Sequence, residues 1–204
     1  MVLKKTGDWR MCIDFRPLNR ATIDDKYPLP KLSEMIRSIK DSRYFIALDL
    51  RSGYWQIPMS ESSIEYTAFR TATGLYEFKV MPFGLKNAPA TFQRSMNFLL
   101  DDLRYSGVLV YLDDILIHSP DIPTLLKLTD KVFHRLLNAG YTINLQKCQF
   151  LPPTLLYLGH IIEDGIIRPN PKKVEAIQLL KSPSTSHEVR SLLGVTGVPA
   201  SLYP

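Results

Sequence analysis

Asp113 and Asp114 stand side by side inside a long apolar run, with Val108-Leu109-Val110-Tyr111-Leu112 before them and Ile115-Leu116-Ile117-His118 after. Gly107 and Pro120 bracket the run. A β-branched, apolar stretch of this kind reads as buried strand, and the acids mark the place where it folds. The expectation is two short antiparallel strands with Asp113-Asp114 at the tight turn. Two adjacent carboxylates in a half-buried hairpin repel each other and lose hydration. A hard divalent cation, Mg²⁺ or Mn²⁺, would offset both costs. Taken alone, the pair is better read as a solvated Asp-Asp turn, because Asp is a common turn residue.

A second strand changes that balance. Tyr44-Phe45-Ile46-Ala47-Leu48-Asp49-Leu50 also ends on an acid and runs at once into Arg51-Ser52-Gly53-Tyr54. If the two strands pair in one sheet, Asp49 and Asp113 meet. Carboxylates brought from separate strands to one point are what two-metal phosphoryl transfer requires. Without that pairing, Asp49 simply ends a strand in solvent.

The elements that must position these acids follow from the rest of the chain. Its 204 residues are 45% hydrophobic and 22% charged, with a formal net charge of +5. That is an ordinary globular composition, and its basic excess fits a polyanionic partner without requiring one. Cys12 and Cys148 are far apart and form no CxxC pair, which argues against zinc sites or a disulfide scaffold and for a reducing compartment. The N-terminus turns polar at Lys4-Lys5 before an apolar signal region forms, and no apolar run reaches membrane-spanning length.

Trp9 to Phe15 alternates apolar and polar residues, which predicts a strand edged by Lys4, Lys5, Arg10, Arg16 and Arg20. A short helix is expected from Ser33 to about Lys40, and a hairpin from Tyr66 to Val80 turning at Thr73-Gly74. The loop Met81–Pro89 offers bare backbone at Gly84 before a helix from Ala90 to about Tyr105, a suitable floor for a flat, anionic ligand. Helical spacing returns from Ile122 to Asn138 and stops at Gly140. Strands are expected at Tyr141–Asn144 and Leu155–Ile162, then a turn at Glu163-Asp164-Gly165. Pro169-Asn170-Pro171 separates this body from two further helices, about Lys172–Leu180 and Ser186–Leu193.

These blocks, in this order, resemble the reverse transcriptases of gypsy-class LTR retrotransposons. The resemblance is carried by Trp9-Arg10-Met11-Cys12-Ile13-Asp14-Phe15-Arg16-Pro17-Leu18-Asn19, Leu48 to Ile57, Met81 to Gln93, Tyr111-Leu112-Asp113-Asp114, Lys147-Cys148-Gln149-Phe150 and Tyr157-Leu158-Gly159-His160. It implies an α+β right-hand polymerase: partial fingers and the start of the palm over 1–43, palm over 44–168 with a fingers hairpin near 64–80, and a helical tail over 169–204. It implies an RNA-directed DNA polymerase that extends a primer with deoxynucleoside triphosphates on an RNA or DNA template. Asp49, Asp113 and Asp114, with the Leu50 carbonyl, would hold two Mg²⁺ ions (or Mn²⁺). Tyr54 is similar to the family's steric gate against the 2′-hydroxyl. Arg10 with Lys4 or Lys5 would grip the triphosphate, and Phe83-Gly84 would lie under the nucleotide. Many retroviral relatives carry Gln where Phe83 stands, which implies stacking or packing in place of a hydrogen bond there. Lys147 matches a proton donor to pyrophosphate, and Leu158-Gly159-His160 resembles the primer grip. The implied setting is intracellular, in a cytoplasmic virus-like particle with access to the nucleus, with the remainder of a Pol polyprotein as partner and no membrane. Val198–Pro204 departs from the family's pattern, and the start of the fingers and a complete thumb are expected outside these residues. The alternative is a catalytically silent nucleic-acid-binding remnant.

Overall fold

The computed structural model describes residues 2–3, 7, 9–163 and 166–171, together with positions 175, 185, 186, 188 and 189. The chain divides into two compact units, Met1–Pro152 and Pro153–Pro204. Of the two helices expected beyond Pro171, only positions 175, 186, 188 and 189 are described; the rest lie outside the described residues.

The first unit begins with strands β1 (Val2–Leu3) and β2 (Trp9–Arg10), paired antiparallel, and helices α1 (Arg16–Ala21) and α2 (Leu32–Ser38). The alternation from Trp9 to Phe15 therefore yields only a two-residue strand. Asp14 accepts from the Arg16 amide and guanidinium, and Pro17 seats the first turn of α1, so the strand ends at Arg10 and a helix starts at Arg16 after an irregular stretch. Next come β3 (Tyr44–Asp49), a 3₁₀ turn at Gly53–Gln56, a short helix α3 (Glu61–Ile64), and the hairpin β4 (Phe69–Thr71) and β5 (Gly74–Tyr76). Helix α4 (Ala88–Leu99) gives way to a 3₁₀ turn at Asp101–Tyr105 rather than continuing to Tyr105. Strands β6 (Val108–Tyr111) and β7 (Asp114–Ser119), helix α5 (Ile122–Asn138) and β8 (Gln149–Phe150) complete the unit.

One sheet, in the order β6-β7-β3-β8, organises these elements. Ile46 faces Ile117 and Leu48 faces Ile115 across β3 and β7, while Val108 and Val110 continue the same face on β6. Those side chains form one core with Phe92 and Met96 of α4 and with Leu125, Leu128, Val132 and Leu136 of α5. The α5 positions recur at helical spacing, so one stripe meets the sheet. Burying each such side chain contributes roughly 1.5–3 kcal/mol before chain entropy is subtracted. Helix α5 is started by the Asp121 carboxylate, which accepts from the Thr124 amide. It is stopped at Gly140, whose φ is 77°.

Successive strand residues point to opposite faces. Since Ile46 and Leu48 face the helices, Asp49 points to the other side, and its register partner Asp114 does too. Tyr141–Asn144 makes no full strand: Leu50 and Ile143 form a single antiparallel bridge.

In the second unit the expected strand Leu155–Ile162 is a hairpin, β9 (Thr154–Tyr157) and β10 (His160–Glu163), with β11 (Ile166–Pro169) added beyond β10. The fold comes at Leu158-Gly159, both at positive φ (47° and 81°). A Leu-Gly pair at a two-residue turn is what the apolar run concealed.

Candidate active site

The acids are brought together by strand register. Asp49 ends β3 directly opposite Asp114, the first residue of β7. Asp113 precedes it in the turn. The turn residues are Leu112 and Asp113, one position earlier than the sequence suggested, because Leu112 takes the left-handed conformation (φ 54°) and Asp114 pairs with Tyr111. Moving the turn by one residue puts Asp114 into the ladder and leaves Asp113 at the tip.

Charge accumulates here. Desolvation by its surroundings pushes the Asp114 carboxyl up to about 6, the charges of Asp113 and Asp49 add to this, and the Lys147 ammonium opposes it. Asp114 nevertheless keeps an exposed surface, so water and salt screen the shift. Lys147 lies 3.5 Å from Asp49, an ion pair whose lysine is 65% exposed. Among the described residues, no three acidic, histidine or cysteine side chains close into a ligand cage around one point. The donor set still fits a hard divalent cation: three carboxylates in adjacent positions, two facing across a ladder, and no soft ligand in the triad. The Leu50 carbonyl is left out of the bridge to Ile143, which uses the Asp49 carbonyl and the Arg51 amide instead.

The raised Asp114 pKa has a sign that can be tested. The folded value, about 6, exceeds the ordinary 3.8, so folding disfavours the charged carboxylate. The penalty is absent below pH 3.8 and complete above about pH 6. Undiscounted, two units correspond to roughly 3 kcal/mol, and solvent screening reduces this to about 1 kcal/mol. In EDTA at pH 7.5, Asp114→Asn should raise Tm by about 2–4 °C, with the gain fading toward pH 4. Equal melting temperatures at both pH values would contradict this assignment of strain.

Tyr54 stands on the 3₁₀ turn that follows Asp49. Its ring packs 5.2 Å from Phe83 and 5.3 Å from Phe92, centroid to centroid. Burial raises its phenol pKa, and Asp113 and Tyr111 add to the effect. Gly53 lets this turn approach the hairpin: a Cβ there would lie 3.1 Å from the Phe92 ring and 3.2 Å from Asp113 Cβ. Gln56 fixes the far end of the turn through bonds to the Arg51 carbonyl and to both the amide and the carbonyl of Thr142.

The Phe83-Gly84 loop is stapled to the start of the chain. Asn19 donates to the Gly84 carbonyl and accepts from the Lys86 amide, both at 2.8 Å. Asn87 bonds the Ile23 carbonyl and the Asp25 amide. Gly84 has φ 96°, a conformation that suits glycine. The structure thus gathers Asp49, Asp113, Asp114, Tyr54, Phe83 and Lys147 in one unit. Lys4 and Lys5 lie outside the described residues, and only the backbone of Arg10 is described, in β2. Leu158-Gly159-His160 forms the turn and strand start of the second unit.

Sequence reading missed Gln93. Its side chain is fully buried and bonds the Leu112 amide, the Val110 carbonyl and Asn97. The available signal was a polar residue three positions from Ala90 and three from Met96, on the buried stripe of α4. Two open grooves, of about 590 and 470 Å³, lie elsewhere; neither is lined by the three acids.

A sequence profile described as reverse transcriptase (RNA-dependent DNA polymerase) matches residues 2–162. The Retrovirus-related Pol polyprotein from transposon 297 of Drosophila melanogaster is 44% identical over 196 residues, 96% of this chain and 18% of that polyprotein. The corresponding polyprotein from transposon gypsy of the same organism is 37% identical over 186 residues, covering 91% of this chain and 18% of its own length. Among solved structures, the foamy viral protease-reverse transcriptase in complex with RNA/DNA hybrid superposes with a TM-score of 0.77 at 29% identity, covering 95% of this chain and 26% of that one. This chain spans 14–19% of the length of the curated relatives it matches.

Proposed function

This chain belongs to the reverse transcriptase (RNA-dependent DNA polymerase) family, and from that premise we propose that it forms the fingers-and-palm core of an RNA-directed DNA polymerase within a larger Pol polyprotein. Its work is to extend a primer with deoxynucleoside triphosphates along an RNA or DNA template. The observation that carries this reading is the register of Asp49 against Asp114, with Asp113 at the adjoining turn, on the sheet face opposite the α4–α5 core. The acids stand at the end of these strands, where Asp114 is exposed and a duplex substrate could reach them.

Residues 1–43 would be partial fingers, 44–168 palm, and 64–80 the fingers hairpin. Asp49, Asp113 and Asp114, with the Leu50 carbonyl, would hold two Mg²⁺ ions, Mn²⁺ being an alternative. When bound, such ions supply charge neutralisation for the primer 3′-oxygen and the departing pyrophosphate. The protein's own residues do the rest. Tyr54 crowds the sugar edge of the incoming nucleotide, and its contacts with Phe83 and Phe92 keep the ring from yielding. Phe83-Gly84 supports the base, Arg10 with Lys4 or Lys5 grips the triphosphate, and Lys147 gives a proton to pyrophosphate. Leu158-Gly159-His160 would hold the primer end.

Primer extension on poly(rA)–oligo(dT) with Mg²⁺ tests the proposal, and product is the expected result. An inert chain that still binds duplex would instead be a silent nucleic-acid-binding module. Tyr54→Val should lower discrimination against ribonucleotides about tenfold, roughly 1.4 kcal/mol, because the gate works by repulsion. Unchanged sugar selectivity would remove Tyr54 from that role.

A further inference from the structure

We propose that Gln93 is a positioning residue for the polymerase chemistry: from inside α4 it holds the Leu112 backbone in its left-handed conformation and thereby aims Asp113. The clamp itself is read from geometry; what it serves rests on the polymerase function proposed above.

Leu112 is a turn residue with a side chain at φ 54°, a region that residues other than Gly, Asn and Asp seldom occupy. Something must hold it there. Gln93 Oε1 accepts the Leu112 N–H at 2.8 Å, and Gln93 Nε2 donates to the Val110 carbonyl at 3.1 Å. The same nitrogen donates its other hydrogen to Asn97 Oδ1 at 2.9 Å. The amide has only one orientation open to it, because a backbone N–H can only donate and a carbonyl can only accept. The two backbone bonds straddle Tyr111, so the hairpin is gripped on both sides of the residue that pairs with Asp114.

The clamp is itself anchored. Gln93, Phe92 and Met96 are each 0% exposed, so this part of α4 is packed and cannot follow the turn outward. Asn97 donates onward to the Tyr27 hydroxyl at 2.8 Å, and the Arg94 guanidinium lies 4.8 Å over the Tyr27 ring while bonding Asp25 at 2.6 Å. On the other side of the turn, the Gly53 backbone closes against Asp113. Asp113 therefore sits between a fixed amide at Leu112 and a wall at Gly53. Gln93 touches neither the acids nor the region where substrate would lie, so it acts through Leu112.

The test compares three 204-residue chains labelled with ¹⁵N: wild type, Gln93→Met and Leu136→Ala. Methionine fills nearly the same volume without either bond, and Leu136→Ala loosens the core at the far end of α5. In Gln93→Met, the Leu112 amide should exchange at least about tenfold faster than in Leu136→Ala, and the strong intraresidue NOE of a positive φ should be lost. In primer extension, kcat should fall at least about tenfold while KM for the nucleotide changes less than about twofold, with kcat preserved in Leu136→Ala. Retained Leu112 protection in Gln93→Met overturns the clamp. Lost protection with unchanged kcat overturns the positioning role. If the wild-type chain extends no primer, the polymerase reading falls, and the NMR comparison alone decides the clamp.

Discussion

Asp113→Asn should abolish primer extension while leaving the fold intact. The substitution keeps the shape of the side chain, and asparagine is as much at home in a tight turn as aspartate. The Cβ that packs beside Gly53 is retained. A charge that adds to the desolvation-driven rise of the Asp114 pKa is removed, so the metal-free protein should melt at the same temperature or slightly higher. Only the negative oxygen is lost. If that oxygen helps hold the cations that offset charge at the reacting phosphate, its removal costs about 4 kcal/mol or more at the transition state, a thousandfold or greater fall in rate. Parallel measurements of primer extension, duplex binding and Tm separate this from unfolding. An Asp113→Asn chain with more than a tenth of wild-type activity would exclude Asp113 from the catalytic set.

Gly107→Ala should produce the largest loss of stability. Gly107 has φ 107°, and a Cβ there would lie 2.5 Å from the backbone oxygen of His118 and 3.1 Å from Leu128 Cδ1. The His118 oxygen cannot step aside, because the His118 amide donates to the Gly107 carbonyl at 2.8 Å. Relief would have to break the β6–β7 ladder. Gly140 provides the comparison: its φ is 77°, but a Cβ there meets nothing within 4 Å. Gly140→Ala should cost only the left-handed backbone term, about 1 kcal/mol. Gly107→Ala adds overlap with main chain and should cost about 3–5 kcal/mol, lowering Tm by roughly 10 °C or more. Calorimetry of the two variants checks the difference, and equal melting temperatures would show that the ladder absorbs the methyl group.

Strand identity and the meeting of Asp49 with the acid pair were legible because buried strands announce themselves by composition, and acids at strand ends are conspicuous there. Register was less legible. The sequence placed both acids in the turn, whereas the left-handed Leu112 shifts the turn by one and puts Asp114 in the ladder. The same blindness hid the fold at Leu158-Gly159, since an apolar residue at positive φ looks from sequence like one more strand position. Trp9–Phe15 alternates as a strand should, yet the local Asp14–Arg16 bonds and Pro17 favour a helix start. The partners of Gln93 were hidden for another reason. Its partners are backbone groups 17 and 19 residues away, and only the folded chain brings them into reach.

The Lys147–Asp49 pair has a consequence for how the acids would take up a cation. Loading would then be an exchange reaction: a cation tethered to the protein would leave as a free one arrived. The tether gives Lys147 an effective concentration at Asp49 that does not vary with the solution. Its hold is nonetheless that of a solvated pair, about 0–1 kcal/mol, which a divalent ion shared among three carboxylates readily exceeds. Salt weakens the tethered competitor and the incoming ion together, so a change of ionic strength would shift their competition less than it shifts the affinity of either alone.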